Sequence, residues 1–380
     1  MKAFTKICAT VLAASSLLAL SGCGKNTADA RVATLANWNS RTSTTVESNY
    51  FDGWTTKKEV AYYDITVEQG TNTKYEVKYN TETAEYKTEF YMESAYDWKS
   101  PLIPESYRST EEGADSEPVY VSKTYMHINV TFDLKDGSEP KTFEDVWSST
   151  CKYRPAGKNL QPVYSEMSIV DTAPRTPTAG SVEDLYVRMN RVYTTYYNRD
   201  CTRATVCETD NDDAETGIKE PVEIDLSSKE GYSVFDSAEL LSAARGFTLS
   251  GGSTQTFNVV SAQDKKMQLC RTSVGSPAEL NHENAEQQRI LKVLENTDGY
   301  IFYKPTPAEG EEKQKTLRYN AVTFSMVADL YGAAYTSWYA TVENADVNAT
   351  RCIMLRRATP LSFGNGTMIY TLKSIGLETI

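Results

Sequence analysis

Two histidines, His127 and His282, serve a chain of 380 residues, so chemistry that needs imidazole has at most two places to occur. His127 falls between Met126 and Ile128, on the polar side of an alternating run with Tyr125 and Asn129. His282 falls in a segment with helical signals, and both read as surface residues. His282-Glu283 lacks the second histidine of a zincin motif. No G-x-S-x-G nucleophile elbow occurs. The S-x-x-K spacing appears at Ser138/Lys141 and Ser149/Lys152, but the enzymes that use it place it at a helix start, and Pro140 with the alternation around it denies a helix here. Cys151 and Cys207 have no helix N-terminus to lower their thiol pKa, and read as structural. The run from Asp210 to Glu215 gathers carboxylates without the glycine and closing glutamate of a calcium loop, and reads as a solvated acidic loop. A glycosidase needs only two carboxyl groups brought together by the fold, and 51 acidic residues give no basis for choosing them. The sequence thus offers no catalytic residue, no metal site and no cofactor by linear motif.

The N-terminus is more specific. Lys2 and Lys6 precede an apolar stretch from Ile7 through Leu20, which is too short to span a bilayer comfortably and ends in Leu20-Ser21-Gly22-Cys23. That tetrapeptide resembles the lipobox of bacterial lipoproteins. The resemblance implies removal of residues 1–22 as a signal peptide, a diacylglycerol on the Cys23 thiol, and a lipid-anchored place in the cell envelope, outside the cytoplasm. The acyl chains alone would hold such an anchor, at about 0.8 kcal/mol per buried methylene. Gly24 stands where an aspartate would signal retention at the inner membrane, so both the outer face of the cytoplasmic membrane and the outer membrane remain open. Residues 23–45 are small and polar and read as a flexible tether.

Beyond the signal, which removes Lys2 and Lys6 from the 39 basic residues and leaves the 51 acidic ones, a net charge near -14 makes nucleic acid and anionic lipid surfaces poor partners, leaving the membrane, through the anchor, and a lipid or glycan ligand. With 40% hydrophobic and 24% charged residues the chain is globular. Its 25 tyrosines suit broad half-buried sheets, and also surfaces that meet sugars or lipids. Apart from Cys8 and Cys23 the cysteines are Cys151, Cys201, Cys207, Cys270 and Cys352, an odd number in no metal-binding spacing. Cys201 and Cys207 fall on what reads as one strand, about 20 Å apart and out of disulfide reach.

The dominant periodicity is two. Ala61, Tyr63, Ile65 and Val67 alternate with polar residues, as do Tyr75, Val77 and Tyr79, then Tyr86 through Trp98 after a turn at Asn80–Thr83. Met126 to Leu134, ending at Asp136-Gly137, Thr142 to Tyr153 and Val163 to Val170 extend this meander. The proline-bearing stretch 171–181 reads as a linker between a β domain at 46–170 and a second β-rich domain at 182–380. In the second, Leu185 to Tyr197 alternate, a turn stands at Asn198–Asp200, and strands return from Trp338 to Leu372. Two helices are signalled. Asp236 with Glu239 forms a capping box, with Phe235 and Leu240 as a staple, predicting a helix at 237–245 that Gly246 closes. Pro277 at a first helical position predicts another at 277–295.

The fold expected is therefore mainly β, with large curved antiparallel sheets of half-barrel or meander type and two short to medium helices. By architecture alone this looks like the carrier type of envelope lipoprotein, a half-open barrel with helices plugging its concave side. The function expected is non-catalytic binding of a hydrophobic or glycan ligand, with Tyr63, Tyr75, Tyr79, Tyr86, Tyr193 and Tyr197 as the candidate ligand face. The alternatives are a structural or adhesive surface lipoprotein and a carboxylate-dependent envelope hydrolase.

Overall fold

The computed structural model describes residues 57–70, 76–109, 116–133, 139–156, 159–174, 186–213, 217–227, 233–246, 251–297, 300–301, 317–326, 335–344, 349–361 and 365–380. Cys23, the expected tether, Tyr75 and the turn at Asp136-Gly137 lie outside these residues.

Alternation produces a mainly β molecule with one curved sheet of 17 strands. Following the pairings from β1 (Lys57–Gln69), one direction leads through β2 (Glu76–Asp97), β3 (Ser116–Asp133), β4 (Lys141–Ala156), β5 (Asn159–Pro174), β6 (Tyr186–Tyr197) and β7 (Arg203–Asp210) to β8 (Val222–Asp225). The other leads through β17 (Gly366–Thr379), β16 (Ala349–Leu361), β15 (Tyr335–Asn344), β14 (Arg318–Met326), β11 (Lys266–Val274) and β10 (Thr254–Ser261) to β9 (Val234–Asp236). Every one of these ladders is antiparallel except β9 with β10. The short strands β12 (Ala278–Glu279) and β13 (Tyr300–Ile301) pair with β14 and β15.

The two ends of the sheet meet through side chains. Met167, Tyr193, Tyr197 and Val206 from β5, β6 and β7 share a buried cluster with Val234 and Val260 from β9 and β10. A larger core joins Tyr63, Tyr86 and Ile128 to Phe257, Phe324 and Leu372 across the curl. Curvature of this kind brings opposite inner faces into contact and buries their alternate residues together.

Several expectations are corrected. The boundary at 171–181 does not divide the described residues, because Asp171–Pro174 are strand, paired with Tyr186–Met189, and the larger core draws on both halves of the chain. Pro174 is tolerated because it stands at the end of its strand, where a missing N–H costs little. Asn80–Thr83 is a break in register within the single strand β2, not a turn between strands. Cys201 sits in the turn before β7 with φ 51°, so it shares no strand with Cys207.

Both helices are present with shifted bounds. The first is composite, a 3-10 turn Ser237–Glu239, α1 (Leu240–Ala243) and a second 3-10 turn Ala244–Gly246, so Gly246 lies inside the last turn. Its N-cap is Asp236, whose carboxylate accepts from the Ala238 amide at 2.8 Å. The second, α2 (Ala285–Glu295), starts eight residues after Pro277 because Asn284 caps it and Ala278–Glu279 are taken by β14. It packs on β17 through Ile290, Leu291 and Leu294, while Glu286 accepts from Arg356 and Thr371.

Candidate functional site

The segment from Asp236 to Gly246 enters the curl and is fastened there by charged side chains. Asp236, fully buried, accepts from Ser165 of β5 at 2.6 Å and Tyr197 of β6 at 2.5 Å. Glu239 accepts from Ser122 and Thr124 of β3 at 2.8 and 3.2 Å and from Ser149 of β4 at 2.6 Å. Arg245 pairs with Glu59 of β1 at 2.8 Å, donates to the Cys352 carbonyl of β16 at 2.6 Å and lies 4.9 Å over the Phe90 ring. A buried charge without partners costs several kcal/mol, and these charge-assisted bonds offset that cost. Burial still raises the Asp236 pKa against the pull of its donors.

This plug forms one wall of a cavity of about 180 Å³ between Tyr63, Tyr86, Trp147, Tyr335, Met354 and Arg357. A second cavity, of about 310 Å³, lies beyond Trp147, which lines both. Its walls are largely apolar, with the thioethers of Met126, Met189 and Met368, the aliphatic Ile128, Ile169 and Leu361, and the rings of Tyr79 and Tyr370. At one side stand Asp145 and Asp171, one step beyond the cross-strand pair Val146↔Val170. Burial raises both carboxyl groups, and the charge of Asp145 adds to the effect on Asp171, which reaches about 6. Asp145 accepts from the Thr172 hydroxyl at 2.8 Å.

No family model matches the chain, and no curated protein matches it in sequence. Among solved structures, a beta-barrel-like protein of the domain of unknown function DUF1849 from Brucella abortus is similar over 84% of this chain and 98% of that one, with 9% identity and a TM-score of 0.39. So loose a likeness carries no role across.

The six candidate tyrosines separate. Tyr63 and Tyr86 meet edge to face with ring centroids 5.4 Å apart, and Tyr86 meets Tyr370 at 4.5 Å. Both line the smaller cavity, while Tyr79 lines the larger. Tyr193 and Tyr197 are buried in the cluster where the sheet ends meet and line neither cavity, and Tyr75 lies outside the described residues. Burial pushes the phenols of Tyr63 and Tyr86 up, and that of Tyr370 to about 12, so all three remain neutral donors.

The residues set aside for chemistry are engaged elsewhere. His127 meets Glu144 at 3.0 Å on the exposed side of β3, and His282 stands in the turn before α2. Ser149 faces Glu239 while Lys152, three residues on and so on the opposite face, meets Glu93 at 2.6 Å. Asp210 pairs with Arg191 at 3.3 Å and Asp213 with Lys219 at 3.5 Å. Cys151, Cys207 and Cys270 carry thiols that burial raises. Sequence reasoning missed Trp147, Arg357 and the methionines. Their partners come from strands far away in the chain, so no local pattern marks them.

Proposed function

We propose that this chain is a lipid-anchored protein of the cell envelope that holds a hydrophobic ligand inside its curled sheet without transforming it. The observation that carries the ligand reading is the larger cavity. About 310 Å³ lined by three thioethers and several rings falls at the lower end of the range for small-molecule sites, and methionine side chains adapt to irregular apolar shapes. A glycan reading is weaker, because Tyr63, Tyr86, Tyr193 and Tyr197 are buried and offer no flat exposed face. The anchor reading rests on Leu20-Ser21-Gly22-Cys23.

Native mass spectrometry and lipid extraction of the full chain purified from its own host test the first claim. The expected result is one hydrophobic molecule per chain. Empty protein that also takes up no alkyl probe overturns it. For the anchor, Cys23→Ser should abolish incorporation of a fatty-acid analogue in metabolic labelling, and undiminished label in the variant overturns that claim.

A second reading has its own observation. Asp145 and Asp171 are neighbouring carboxyl groups with raised pKa in a cavity wall, a feature shared with carboxylate-dependent hydrolases. Turnover of a glycoside panel that Asp171→Asn abolishes would replace the binding reading with this one.

A further inference from the structure

The polar groups around the smaller cavity are unequal in one respect. Its carboxylates all have donors: Glu59 takes Arg245, Glu89 takes Lys87 at 2.6 Å, and Glu239 takes three hydroxyls. Its donors do not all have acceptors. The Trp147 indole Nε1 and the Arg245 Nη2 are buried with no hydrogen-bond partner among the described residues, and Arg245 as a whole is only 8% exposed. Arg357 stands beside them with no carboxylate partner among the described residues. Its Nε donates to Thr359 Oγ1 at 2.8 Å, its Nη1 makes a long 3.4 Å contact to the Tyr86 hydroxyl, and its plane lies 5.6 and 5.2 Å from the Tyr335 and Tyr370 ring centroids. The adjacent Arg356 shows the contrast, being paired to Glu286 at 3.0 Å.

Unmet buried donors are costly, and a planar guanidinium held between rings is suited to take an oxyanion through two parallel bonds. We infer that the smaller cavity receives the anionic head, carboxylate or phosphate, of an amphiphilic ligand whose tail passes Trp147 into the methionine-lined cavity. This rests on the ligand reading above and adds the head-group chemistry. Arg357 supplies the charge, and Trp147 and Arg245 supply further donors. The phenols of Tyr86 and Tyr370 keep the cation from solvent without neutralising it.

The test compares binding of dodecanoate, dodecyl phosphate and 1-dodecanol to the full chain by equilibrium dialysis. The expected result is a preference of about ten-fold or more for at least one anion over the alcohol, as charge-assisted bonds provide. Whether carboxylate or phosphate is favoured identifies the head. Arg357→Gln should bring the favoured anion to the level of the alcohol. Trp147→Phe keeps the ring, removes the N–H, and should reduce the preference several-fold, which keeps the inference testable if the arginine variant does not fold. Equal binding of all three probes, or a preference intact in a folded variant, overturns the head-group inference alone. Failure of all three to bind overturns the ligand reading and the inference with it.

Discussion

At the scale of single residues, the cavity walls hold charges whose cost the rest of the fold must meet, and Asp171 allows that cost to be measured. Its carboxyl group is raised to about 6 by burial and by Asp145, against roughly 3.9 for an unperturbed aspartate. The folded state therefore holds this proton more tightly than the unfolded state. The resulting stability is fully present below pH ~3.9 and is lost as pH rises through 6. Asp171→Asn, similar in shape but uncharged, should raise stability over the parent by about 1–2 kcal/mol at pH 8, allowing for partial exposure, and by nothing at pH 4. Urea midpoints at the two pH values check this, and an equal gain at both would show that charge is not the cause. No feature of the sequence singles out Asp171, which stands in a proline-bearing stretch that reads as linker. Arg357 was equally hidden: Arg356 and Arg357 are adjacent on one strand, and only the tertiary fold decides which turns toward the cavity.

At the scale of elements, local signals were legible and their long-range use was not. Period-two alternation located most strands because one face of each is buried. The cap of the first helix was legible because Asp236 bonds an amide two residues away. That Asp236 also accepts from Ser165 and Tyr197, and Glu239 from three hydroxyls on β3 and β4, depends on partners 39 to 117 residues distant, which spacing cannot report. Those distant partners raise the cost of losing the Asp236 carboxylate. Loss of a helix cap alone costs about 1 kcal/mol, whereas Asp236→Ala also leaves two buried hydroxyls without an acceptor, for a total of about 3–5 kcal/mol. Denaturant unfolding of the variant measures this. A loss near 1 kcal/mol would mean that the plug is held mainly by its apolar contacts, Phe235 on Phe257 among them.

At the scale of the molecule, the order of strands in the sheet differs sharply from their order in the chain. β17, the last strand, lies between β1 and β16, and its ladder with β1 runs from Lys57↔Thr379 to Gln69↔Gly366. A strand last in sequence is thus central in space. It carries Met368 and Tyr370 into the larger cavity and receives α2 beside Thr371. Contacts of such separation must close nearly the whole chain before they stabilise anything, so folding should be slow, as for other sheets dominated by non-local pairing. It also follows that removing residues 366–380 does not trim an end. The deletion exposes the facing edges of β1 and β16 and opens the core that both halves share, and an uncovered pair of long strands invites aggregation. The shortened chain should lose the cooperative unfolding transition, as read by near-ultraviolet circular dichroism against urea, and should accumulate as insoluble protein. Deletion of the short edge strand β8 provides the comparison, because among the described residues Val222–Asp225 pairs with β7 alone and carries little of the core. That variant should keep a single transition at lower stability. If both deletions behaved alike, the central place of β17 in the sheet would be wrong, and with it the continuous inner face that β1, β17 and β16 give to the two cavities.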